Sequence, residues 1–130
     1  MINGAHFLIY STDPEADRAF LRDVLEFRFV DVGGGWLIFG LPPTEVAVHP
    51  TDQSFVHGHA EQSLAGAVLY LMCDDLQAEI KRLESKKVTC SQVNRENWGT
   101  FTTFALPSSG RIGLYQPSHP TAFGNEAAGS

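Results

Sequence analysis

Five histidines, two cysteines and fifteen carboxylates set the chemical repertoire of this 130-residue chain. His6 stands in an apolar run, Ala5 to Tyr10. Glu45 and His49 fall on one face of a second run at period two. Imidazole and carboxylate are the side chains of these two runs that can exchange protons or donate electron pairs. His49 either faces a cavity beside His6 or satisfies a strand-end hydrogen bond. His57-Gly58-His59, with Glu61 nearby, is a weaker signal, since such pairs on loops are mostly solvated. Tyr70, Met72 and Tyr115 alternate with core positions, and the two tyrosines offer hydroxyls and ring faces to a ligand. Trp36 and Trp98 each adjoin a glycine; both suit a structural role, and Trp98 also a place in a cleft. Arg95 and Glu96 read as loop residues before Trp98. Cys73 precedes a helix start but has no histidine beside it, which makes it an inert thiol rather than a nucleophile. Gly33-Gly34-Gly35 is a turn, not a phosphate loop, because no helix follows it.

The elements that position these groups follow from periodicity and punctuation. Ala5 to Tyr10 reads as a strand. A helix then runs to about Leu25, capped by Thr12 or Asp13 with Pro14 in its first turn. Phe27–Val32, Trp36–Leu41 and Glu45–His49 read as three strands. The pattern recurs. Ala67–Cys73 is a strand, and Asp74 or Asp75 caps a helix, with Asp74, Leu76 and Gln77 in a capping-box arrangement. Leu76, Ile80 and Leu83 form one apolar stripe on it. Strands are expected at Val88–Val93, Trp98–Leu106 and Arg111–Gln116.

A shift of 62 residues aligns Asp13 with Asp75, Ala16 with Ala78, Asp17 with Glu79, Leu21 with Leu83 and Trp36 with Trp98. A shift of 66 then matches Val46 and Val48 to Ile112 and Leu114. The expected fold is α+β: two tandem βαβββ units forming curved mixed sheets around a cleft. The units span 4–50 and 66–117 of a single domain, with a linker at 51–65 and a loose tail at 118–130.

Composition narrows the function. Residues 1–62 carry nine acids and three bases, and residues 63–130 carry six of each, so the whole net charge of −6 lies in the first half. That balance argues against nucleic acid, whose phosphates need clustered Lys and Arg, and it suits a cationic ligand or a solvated acidic face. No apolar run reaches the roughly 20 residues of a membrane span. Met1 to His6 has no basic region before a long apolar stretch, so no secretory signal is expected. Two cysteines make no disulfide framework, which points to the cytoplasm. Two small sheets with open edges and apolar faces suggest a homodimer.

Paired βαβββ units of this size resemble the vicinal oxygen chelate superfamily of glyoxalases, extradiol dioxygenases, fosfomycin-resistance enzymes and bleomycin-binding proteins. The resemblance rests on Ala5-His6 ahead of Asp13, the stretch Arg22 to Phe27, Leu71 to Leu76, and the closing Leu106 to Pro117. It implies up to four His or Glu metal ligands, one from the first and last strand of each unit. His6 matches the first position; Ala47, Val68 and Gly113 fall at the others. Val, Ala and Gly cannot coordinate a metal, so no cofactor is expected, though a divalent metal stays open. The reading is a protein that binds a small molecule in its cleft through His6, His49, Tyr70, Trp98 and Tyr115. The alternative is a metal-dependent lyase or extradiol-type dioxygenase with a shifted site built from His6, Glu45, His49 and Tyr115.

Overall fold

A computed structural model describes residues 1, 5–48, 57–59, 62–64 and 67–122. Two helices form where aspartate caps and apolar stripes coincide. Asp13 accepts the Ala16 N–H at 3.2 Å and opens α1, Pro14–Asp23, with Pro14 at its start. Asp75 accepts the Ala78 N–H at 3.1 Å and opens α2, Leu76–Ser85. The capping box expected from Asp74 does not form, because the cap is one residue later and its third helical position is Ala78.

The strands are β1 (Phe29–Asp31), β2 (Leu37–Phe39), β3 (His57–His59), β4 (Gln62–Leu64), β5 (Tyr70–Met72), β6 (Asn94–Glu96), β7 (Gly99–Ala105) and β8 (Arg111–Pro117). In the second half they build a four-stranded sheet of order β5-β8-β7-β6. β5 lies parallel to β8; β7 is antiparallel to both β8 and β6. With α2 after β5, this half is a complete βαβββ unit. Strand β6 begins at Asn94, directly after the run expected to form it. Val88–Val93 is reduced to one bridge, Cys90 to Phe104, while Arg95 and Glu96, expected in a loop, form the outer edge strand. An edge strand tolerates exposed charge, which is why it reads as a loop.

The buried core belongs to this half: Leu76, Leu83, Phe104, Leu106, Ile112 and Leu114. Helix α1 joins it from the other half. Phe20, Leu21, Val24 and Leu25 pack against that cluster, and the Phe20 ring stacks on Phe104 with centroids 6.1 Å apart. Polar contacts lock the arrangement. Asp17, 6% exposed, accepts from the Ser108 N–H at 3.1 Å and the Ser108 hydroxyl at 2.6 Å. Arg82 of α2 and Lys86 at its C-cap donate to the Val24 carbonyl at 3.2 and 3.3 Å, placing cations at the negative end of α1.

The first half has the same order of residues but an open structure. β1 and β2 pair as a two-stranded ribbon around the Gly33-Gly34-Gly35 turn, whose residues all have positive φ. Ala5–Tyr10 and residues 45–48, expected as the flanking strands, join no ladder among the described residues; His49 lies outside those residues. A strand exists only through a hydrogen-bonded neighbour, and the apolar face of α1 is committed to the second half. The result is exposure of Phe7 (49%), Leu8 (58%), Val46 (90%) and Val48 (94%). Part of the expected linker forms the short β3–β4 hairpin. Among the described residues no helix is long and apolar enough to cross a membrane.

Candidate functional site

A cleft of about 370 Å³ opens where the 41–45 segment faces β5 and the end of β8. Leu41, Pro42, Leu69, Leu71 and Met72 supply apolar walls, and Tyr70, Glu45 and Asp74 supply the functional groups. Such a space, mostly apolar with a few polar groups, is what an organic ligand requires.

Tyr70 is held in place by chain geometry. It pairs with Gly113 across the parallel β5–β8 ladder, and its ring lies over that glycine. A Cβ at position 113 would overlap the ring, so only glycine fits there. The ring continues into an aromatic cluster. Tyr70 meets Tyr115 edge-on at 5.6 Å and Phe101 at 6.1 Å; Trp98 stacks on Phe101 at 5.0 Å and meets Tyr115 at 5.7 Å. Tyr70 and Trp98 keep 37% and 41% of their surface open.

Behind this cluster lies a polar chain. The Tyr115 hydroxyl sits 2.7 Å from His119 Nε2, and His119 Nδ1 sits 2.7 Å from the Pro120 carbonyl oxygen. A carbonyl only accepts, so Nδ1 carries a proton. Glu45 Oε1 accepts the Ala122 N–H at 2.7 Å, and Oε2 stands 4.0 Å from His119 Nε2. The Glu45 side chain is 20% exposed. Burial, then the Glu45 carboxylate, push the Tyr115 phenol above its usual value and keep it a neutral donor. Residues 118–122, expected to begin a loose tail, are thus tied across the first half, and Ser118 adds a bond from its N–H to the Trp98 carbonyl at 2.9 Å.

The structure brings Tyr70, Trp98 and Tyr115 together and sets Glu45 beside them. His6 is exposed on the N-terminal segment, and His49 lies outside the described residues. Sequence reasoning missed His119. Its signal was the spacing of four from Tyr115, ahead of Pro120, in a stretch that reads as tail.

Of the positions that the resemblance assigns to metal ligands, His6, Ala47, Val68 and Gly113, one carries a donor side chain. Ala47, Val68 and Gly113 offer no donor atom, and the space over Gly113 is filled by the Tyr70 ring. Among the described residues no three His, Cys, Asp or Glu side chains converge.

Residues 4–118 match the Glyoxalase/Bleomycin resistance protein/Dioxygenase superfamily, and the chain belongs to it. Among curated proteins none matches the chain. Solved structures share the fold. An antibiotic-binding protein from Streptomyces sp. CB03234 is 24% identical at a TM-score of 0.60, over 91% of this chain and 99% of that one. A lactoylglutathione lyase from Agrobacterium tumefaciens is 18% identical at 0.54, over 83% and 88%. An integron cassette protein from the mobile metagenome of V. cholerae is 20% identical at 0.51, over 89% and 98%.

Proposed function

We propose that this chain binds an organic small molecule in the cleft between Glu45 and Tyr70, and holds it without a four-ligand divalent ion. The observation that carries this reading is the Tyr70 ring over Gly113. At position 113, which the resemblance marks as a metal-ligand place, the Tyr70 ring instead forms an aromatic wall that lines the cleft. Tyr115 and Trp98 back that wall, and the Tyr115 hydroxyl with His119 provides polar contacts beside it. That a protein sharing this fold is an antibiotic-binding protein is in keeping with the reading.

In this reading the protein works as a homodimer in the reducing cytoplasm. The exposed apolar side chains of Phe7, Leu8, Val30 and Val46 support a second chain against the first half. Two free, partly buried thiols suit a reducing compartment. The test has two arms. Protein purified without chelator is assayed for bound metal and melted against a panel of aromatic natural products. The expected result is substoichiometric metal and a melting temperature raised by at least one compound. One divalent ion per chain, lost on His6→Ala, with no compound stabilising the protein, overturns the reading. Light scattering is expected to return twice the chain mass; the single-chain mass at high concentration removes the dimer.

A further inference from the structure

We infer that the molecule taken by this cleft is an organic cation: an apolar or aromatic body bearing an ammonium group, its charge against Glu45 and its body on Tyr70. This rests on the cleft being a small-molecule site and names the class of ligand.

The first observation is the state of Glu45. Its side chain is four-fifths buried, yet among the described residues no lysine or arginine pairs with it. Oε1 is satisfied by the Ala122 N–H. Oε2 has His119 Nε2 at 4.0 Å, beyond hydrogen-bond range. Both His119 ring nitrogens are engaged elsewhere, Nε2 with the Tyr115 hydroxyl at 2.7 Å and Nδ1 with the Pro120 carbonyl oxygen at 2.7 Å. A carboxylate drawn out of water without a charged partner is costly, and a cation arriving beside it is correspondingly favoured.

The second observation is the lining. The cleft carries two carboxylates, Glu45 and Asp74, and no basic side chain. An anionic ligand would meet repulsion from both. The third is the ring beside the carboxylate. Tyr70 presents an accessible aromatic surface, and the negative face of an aromatic ring attracts an ammonium group or a planar cation. The net charge of −6 over residues 1–62 adds a field of the same sign for the ligand's approach.

Three probes of one frame separate charge from shape: 1-naphthylmethylammonium, 1-naphthylmethanol and 1-naphthoate, each titrated calorimetrically into the whole chain near neutral pH. The cation is expected to bind at least about tenfold more tightly than the alcohol, and the carboxylate most weakly. Raising salt from about 20 mM to about 300 mM should weaken the cation and leave the alcohol unchanged. In Glu45→Gln, whose amide oxygen still accepts the Ala122 N–H, cation and alcohol should come within about threefold of each other. The salt series on the unaltered protein decides the matter even where that variant fails to fold. Equal binding of all three probes, or preference for the carboxylate, overturns the cation inference and leaves the cleft as a binding site. A cation preference that survives in Glu45→Gln overturns the role of Glu45. Binding of none of the three overturns both this inference and the small-molecule reading.

Discussion

Leu21 and Leu83 occupy matching places in the two halves, yet Leu83 is 1% exposed while Leu21 is only partly buried. Asp17 and Glu79 match in the same way. Asp17 is buried on the β7–β8 turn, and Glu79 sits at the surface beside Arg82 at 3.0 Å. One order of residues has therefore produced a four-stranded sheet with a core in the second half and a two-stranded ribbon in the first. The difference lies in where the apolar faces go. Both helices pack on the second sheet, so that half has a filled interior, while among the described residues of the first half large apolar side chains stay exposed. Local sequence sets the elements; the competition for one core sets which half is finished.

Substitution at matched positions sharpens this contrast. Leu83→Ala is expected to cost about 3 kcal/mol, because its site is enclosed and leaves a cavity, whereas Leu21→Ala should cost about 1 kcal/mol. Equal losses in chemical denaturation would break the comparison. Gly113→Val should cost about 2 kcal/mol by driving the Tyr70 ring off its seat, and Ala47→Val, at the related place in the first half, should be neutral to within about 0.5 kcal/mol. Thermal melting of the pair measures this. Asp17→Ala strips the Ser108 N–H of its acceptor and should cost about 1–2 kcal/mol, against about 0–0.5 kcal/mol for the partly solvated Glu79→Ala. A null result at Asp17 would mean that α1 is held by its apolar face alone.

The smallest effect is one of pH. Burial, with Glu79 next, pushes the Cys73 thiol from an ordinary 9.0 up to about 11. The unfolded chain thus releases this proton first as pH rises. Stability from this group is fully present below about pH 9 and is lost between about 9 and 11. Denaturation midpoints across that range should fall less steeply in Cys73→Ser. Position 11, its counterpart at an offset of 62, is already serine, so the first half should contribute no such slope.

The helices were legible because their signals are local: Asp13 and Asp75 lie beside the apolar stripes they cap. The duplication was legible for the same reason, since an offset needs no partner. The strands at 5–10 and 45–48 were not, because a strand depends on a neighbour that the sequence does not name. Arg95 and Glu96 were misplaced because a charged edge strand has the composition of a loop. That Tyr70, Trp98 and Tyr115 lie together is in keeping with strand alternation and the paired tryptophans. The link from Tyr115 through His119 to Glu45 was not legible, since it depends on the chain doubling back after β8 over 77 residues of sequence separation.

The seating of Tyr70 over Gly113 also constrains how this protein can change by descent. A donor side chain introduced at position 113 alone would collide with the ring, and a smaller residue at position 70 alone would open a void without adding a ligand. Each single step is harmful, and only the pair restores room and donor together. The two sites are epistatic, and the trough between them acts as a ratchet. A chain that keeps the ring can change its ligand preference around the cleft while position 113 stays closed to any donor side chain.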